Sequence, residues 1–158
     1  MSRPKRLPDH LYTGRAQYFL TFCVRSRARV FVSDSIVNPA LLQIRQAARD
    51  EGYALLAYCF MPDHLHLLVE GTTETSDLRR FVQVAKRRSG AVYAREWGSR
   101  LWQEGYYDRV LRSEESAKRV ARYIVNNPVR AGIVTDPRQY PHLGSDLWSV
   151  DELLNSIL

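Results

Sequence analysis

Apolar positions dominate 17–24 (QYFLTFCV), a stretch rich in aromatic and β-branched residues, and this predicts a first strand. Leu41, Leu42, Ile44, Ala47 and Ala48 then recur at helical spacing. Asn38 reads as the cap and Pro39 as the first helical residue, with Gly52 beyond the C-terminus. A nearly unbroken apolar run from Tyr53 to Phe60 and an alternating run from His64 to Glu70 predict a hairpin, turned at Met61-Pro62-Asp63. Leu78, Phe81, Val82, Ala85 and Val92 mark one face of a second helix, capped by Thr75 or Ser76 with Asp77 in its first turn. Tyr106 to Leu111 reads as a fourth strand. Ser113 is placed to cap a third helix carrying Val120, Tyr123, Ile124 and Asn127, which Pro128 must end or kink before Gly132. The remainder, with Pro137, Pro141 and Gly144, reads as an extended strap with a short helical end.

The order of the first six elements predicts an α+β fold, a ferredoxin-like split β-α-β with a four-stranded antiparallel sheet and two helices on one face. The third helix would lie over the other face. The chain has 158 residues, enough for one domain over 1–158, with a basic arm at 1–13 and a C-terminal strap at 133–158. No internal repeat or low-complexity linker interrupts it.

Composition narrows the function less than the pattern does. With 45% hydrophobic and 25% charged residues, the chain reads as soluble and globular. No apolar run approaches the about 20 residues that a membrane span needs, and the basic N-terminus lacks the apolar stretch of a secretory signal. Cys23 and Cys59 lie in separate strand-like runs and form no CxxC pair, which points to buried thiols in a reducing compartment. The net charge of +6 favours a polyanionic partner, nucleic acid first. Three groups of cations could face phosphate: Arg3, Lys5 and Arg6 in the arm; Arg25 and Arg27, with Arg29, after the first strand; and Arg79, Arg80, Lys86, Arg87 and Arg88 on the second helix. A frayed arm, a solvated loop and a solvated helix face are the plain alternatives.

The candidate chemistry sits in the hairpin. In a strand from His64, the imidazoles of His64 and His66 share one face, opposite the stripe of Leu65, Leu67 and Val69. Two neutral imidazoles on one face begin a divalent-metal site. Tyr123 and Asn127, at i and i+4, share a face of the third helix. An amide oxygen is a hard ligand suited to Mg²⁺ or Mn²⁺, and a metal there would polarise a phosphate beside a phenol able to act as nucleophile. The competing reading of Tyr123 is a core or interface aromatic. Tyr106 and Tyr107 are rival nucleophiles without the amide partner. Asp63 could orient a ligand histidine or serve only the turn.

The segments CFMPDHLHLLVE, WQEGYYDRVLR and RYIVNNPVRAGIV together resemble the HUH single-tyrosine transposases, and most of all their REP-associated branch in bacteria. The matching motifs span about Tyr18 to Tyr140. The resemblance implies His64 and His66 as metal ligands with Asn127 as a third, and Tyr123 as the nucleophile. It implies attack on single-stranded DNA to give a 5′-phosphotyrosine linkage and a 3′-OH, with Mg²⁺ or Mn²⁺ as cofactor. The implied substrates are imperfectly palindromic REP-like hairpins with a short guide sequence at the foot. The implied setting is a cytoplasmic, nucleoid-associated monomer or homodimer. A module of the same fold that holds hairpin DNA or RNA without chemistry is the competing function.

Overall fold

The structure, a computed structural model, describes residues 6–155. Arg3 and Lys5 of the basic arm lie outside the described residues. Five strands form one antiparallel sheet in the order β4-β1-β3-β2-β5: β1 (Gln17–Cys23), β2 (Tyr53–Met61), β3 (His64–Gly71), β4 (Tyr107–Val110) and β5 (Leu143–Gly144). The first four follow the expected split β-α-β order. The fifth was not foreseen: a two-residue strand from the C-terminal segment pairs with the outer edge of β2.

Two long helices, α1 (Asp34–Asp50) and α2 (Leu78–Trp97), cover one sheet face. Their Val37, Ile44, Phe81 and Ala85 share a core with Tyr18, Leu20, Leu65, Leu67 and Val69. On the opposite face α3 (Ala117–Val125) and α5 (Val150–Asn155) pack Ile124, Val125 and Leu153 against Ala57, Cys59 and Leu68. Strand β2 is buried on both sides, which explains its nearly continuous apolar sequence. A register shift between Leu55 and Ala57 turns both Leu56 and Ala57 toward the α3 side. Gly71 closes β3 where a Cβ would lie 1.9 Å from the Gly14 carbonyl oxygen, so no side chain fits there.

Three helix starts differ from the sequence reading. Helix α1 begins at Asp34, after Ser33 in extended conformation, and Pro39 lies inside it. The extra turn buries Val37, and Pro39 costs one backbone hydrogen bond near the helix start. Asp77, rather than Thr75 or Ser76, caps α2 by accepting from the N–H groups of Arg79 and Arg80. The Ser76 hydroxyl instead donates to the Gly52 carbonyl. Ser116, not Ser113, caps α3 by accepting from the Arg119 N–H. Pro128 acts as expected: α3 stops at Val125, and Asn127–Arg130 form a separate turn, α4, with Pro128 in its first turn.

Candidate active site

The register of the sheet fixes where the imidazoles stand. His64 pairs with Cys23 and His66 pairs with Thr21. Directly paired residues project to the same face. His66 is therefore beside Thr21, on the face covered by α3 and away from α1 and α2. The two imidazoles are adjacent, with ring centroids 4.7 Å apart.

Each ring is held through Nδ1. Asp63 Oδ1 lies 2.6 Å from His64 Nδ1, and Thr21 Oγ1 lies 2.9 Å from His66 Nδ1. That leaves Nε2 on both rings to meet a ligand, the usual arrangement when a carboxylate or hydroxyl orients a metal-binding histidine. Burial pushes the His66 imidazole down to about 3, reinforced by the charges of His64, Arg130 and Arg27. It is thus in the neutral form that ligates. Burial opposes ionisation of Asp63. Hydrogen bonds from His64 and from Arg27, whose Nε donates at 3.0 Å, outweigh it and hold the carboxyl below its ordinary range.

Arg27 was expected to face phosphate, and the structure gives it a different position. Its guanidinium bridges Asp63 Oδ2 and the Cys23 sulfur, at 3.0 and 3.4 Å. Ser26 and Arg27 both adopt left-handed backbone angles, φ 57° and 52°. Such angles are costly for residues with a Cβ and persist where surrounding contacts impose them. The ion pair with Asp63 is one such contact.

Tyr123 projects from α3 onto the same sheet face, 56% exposed. Phe19 neighbours both it and His66, with ring centroids 6.4 Å from Tyr123 and 5.3 Å from His66. The Phe19 ring thus links the phenol to the His66 imidazole within a single chain. Arg130 of α4 stacks its guanidinium 3.6 Å from the Tyr123 ring centroid and donates loosely to Asn127 Oδ1 at 3.4 Å. The Arg130 charge also reaches His66 and the Cys59 thiol, which burial pushes up to about 12. α4 thus carries Asn127 and Arg130 over the β2–β3 pair. Among the described residues no His, Cys, Asp or Glu joins the two imidazoles in a metal-sized group of three.

Of the rival tyrosines, Tyr106 is buried in the α1–α2 core with Arg6 over its ring at 4.3 Å, remote from this face. Tyr107 is different. It pairs with Thr21 and so projects from β4 on the same face as His66, two strands away.

These motifs extend over most of the chain. Residues 13–127 match the sequence model of the family described as "Transposase IS200 like". The chain belongs to that family. The ISDra2 transposase TnpA of Deinococcus radiodurans is 30% identical over 122 residues, covering 72% of this chain and 84% of the relative. A Haemophilus influenzae protein, provisionally named a REP-associated tyrosine transposase, is 22% identical over 142 residues, covering 83% and 80%. Among solved structures, a REP-associated tyrosine transposase bound to a REP hairpin matches with a TM-score of 0.72 at 20% identity, over 90% of this chain and 82% of that one.

The expected phosphate contacts of this transposase are distributed unevenly. On α2, Arg79, Arg80 and Arg88 form ion pairs with Asp9, Glu51 and Asp50. Lys86 is half-buried and donates to the carbonyls of Gln103 and Gly105, at 2.8 and 2.6 Å. Arg87 stays exposed. All five lie on the helix that covers the opposite sheet face from Tyr123. Arg25 is exposed in the turn after β1. Arg6 lines an open cavity with Arg79 and Arg80. The cations beside Tyr123 are instead Arg109, Arg119 and Arg130. The spacing of Arg119 four residues before Tyr123 was visible in the sequence. The approach of Arg109 was not, because it depends on the pairing of β4 with β1. Among the described residues no helix is long and apolar enough to cross a membrane.

Proposed function

We propose that this transposase cleaves and rejoins single-stranded DNA at the foot of REP-like hairpins, with Tyr123 as nucleophile and His64, His66 and Asn127 as ligands of Mg²⁺ or Mn²⁺. The observation that carries the reading is the placement of an exposed phenol on the same sheet face as two imidazoles whose Nδ1 atoms are already engaged. A bound divalent ion would polarise the scissile phosphate and offset its developing charge. The Tyr123 oxygen attacks phosphorus and gives up its proton to solvent, the P–O3′ bond breaks, and O3′ takes up a proton, so the leaving strand departs with a 3′-OH. The phosphorus stays on Tyr123 as a 5′-phosphotyrosine diester. Return attack by a 3′-OH reverses the step, so no nucleotide cofactor is consumed. Arg130, stacked on the phenol, places a positive charge beside the phosphate that the phenol attacks. Asp63 and Thr21 engage Nδ1 of the two rings and leave Nε2 of each to face the ion.

Hairpin DNA as the substrate is supported by family membership, by the shared fold of a transposase that binds a REP hairpin and by the cations around Tyr123. Purified protein incubated with hairpin single-stranded DNA and Mn²⁺ should form a covalent adduct that survives denaturing electrophoresis. Tyr123→Phe should abolish it while leaving hairpin binding intact. Binding without an adduct in the wild-type protein would favour a module that holds hairpins. Cleavage without an adduct would indicate an activated-water nuclease.

A further inference from the structure

A cavity of about 430 Å³ opens beside Tyr123, within the range of about 300–1,000 Å³ common for small-ligand sites. Phe19, Val120 and the Tyr123 ring line it, with Arg109 and Arg119 beside them. Its construction is regular. Arg119, Val120 and Tyr123 stand at i, i+1 and i+4 on α3, one turn apart. Phe19 of β1 and Arg109 of β4 are directly paired across the sheet and project to the same side. The apolar part is therefore built from two elements that meet at an angle, with the Phe19 and Tyr123 rings inclined at 57°. Arg109 is fixed by Glu115, which accepts from its Nη1 at 2.8 Å through both carboxylate oxygens, and its guanidinium carbon lies 6.0 Å from the Phe19 centroid. The Arg119 guanidinium has no protein partner among the described residues.

We propose that this cup takes the nucleobase adjacent to the phosphate that Tyr123 attacks, with the base stacked on Phe19 and the sugar–phosphate held by Arg119. The proposal rests on Tyr123 as nucleophile and adds a site that chooses which phosphate is presented. A flat apolar ring surface beside cations fits one nucleotide: the base has a π-face for Phe19, and its phosphate is the anion that Arg119 lacks. An aliphatic ligand would leave the cations unanswered, and a free anion would leave the aromatic face unused. Because the attacking residue forms one wall, seating the base fixes the distance between the phenol and the neighbouring phosphorus.

The test uses a hairpin recovered from a random single-stranded pool by Mn²⁺-dependent adduct formation with the wild-type protein, its cleaved phosphate mapped. An abasic residue is then placed on each side of that phosphate. In the wild-type protein one of the two replacements should slow adduct formation about tenfold, the size expected for one base–aromatic stack. In Phe19→Leu, which keeps apolar volume and loses the flat face, the same replacement should change the rate less than twofold. Arg119→Ala should lower the salt dependence of hairpin affinity by about one phosphate contact. If both abasic substrates react like the parent, or if the abasic effect is as large in Phe19→Leu as in the wild type, the cup is not the base site. A merely structural Phe19 would slow intact and abasic substrates alike. If the pool yields no adduct, or Tyr123→Phe still forms one, the nucleophile reading fails first.

Discussion

Asp63 engages a histidine, one of the two roles that its place in the sequence left open. It follows a turn proline, so a turn function alone would explain it. Its two oxygens, however, reach His64 and Arg27. Asp63→Asn keeps the size and removes the charge. It should weaken Mn²⁺ binding about 10–100-fold, the usual cost of losing a ligand's orienting carboxylate, with little change in hairpin binding measured in EDTA. Titration calorimetry of both variants reports this directly, and an unchanged Mn²⁺ affinity would return Asp63 to the turn. Lys86 was read as a phosphate contact because a charge has no visible partner in a sequence. Its partners are carbonyls 17 and 19 residues away. Burial, with Arg100 nearby, pushes its ammonium down to about 8 from 10.5. A depressed pKa gives a contribution that is full above 10.5 and lost as the pH falls through 8. Between pH 8 and pH 9.5 the wild-type protein should therefore gain about 1–2 kcal/mol relative to Lys86→Met in urea denaturation. A parallel pH dependence in the two proteins would contradict that burial.

At the scale of elements, strands were easier to read than helix starts. β1, the hairpin and β4 fall within a residue of their predicted bounds because runs rich in aromatic and β-branched residues are bounded by turn residues, and in β3 alternation also fixes the face. Helix starts depend on which of several Ser, Thr, Asp or Asn residues reaches a backbone N–H, and the sequence around 113–116 offers two serines. Glu115 explains the choice. It accepts from the Arg112 N–H and from Arg109, which draws 112–115 into a turn and leaves Ser116 to cap α3. Ser116→Ala should cost about 1 kcal/mol, and Ser113→Ala nearly nothing, in chemical denaturation. Equal losses would mean the cap is misplaced. β5 escaped prediction because two residues carry no periodicity. Its place is set by long-range contacts: Tyr140 Oη donates to the Phe60 carbonyl at 2.5 Å, and Arg45 holds Asp146 at 2.8 Å. Those contacts cover the outer edge of β2, which would otherwise offer unpaired backbone groups.

For the whole molecule, the sheet divides the labour. One face carries the α1–α2 core, where three of the five α2 cations expected to face phosphate are tied into ion pairs. The other carries the histidines, Phe19, Tyr123 and a smaller core that includes Ile124. The net charge of +6 pointed to a polyanion without saying where it would lie. The site's residues were legible as an i, i+2 pair of histidines and an i, i+4 pair on α3. The sequence also placed the third helix over the histidine face; the contact of Phe19 with both His66 and Tyr123 was not legible, because it depends on how α3 lies across the sheet. The register also brings Tyr107 onto the same face, so two phenols compete for the role of nucleophile. Peptide mapping of the Mn²⁺-dependent adduct distinguishes them. With Tyr123 as nucleophile, the nucleotide is carried by the tryptic peptide running from Tyr123 to Arg130. A nucleotide on the peptide containing Tyr107, or an adduct that persists in Tyr123→Phe, would contradict it.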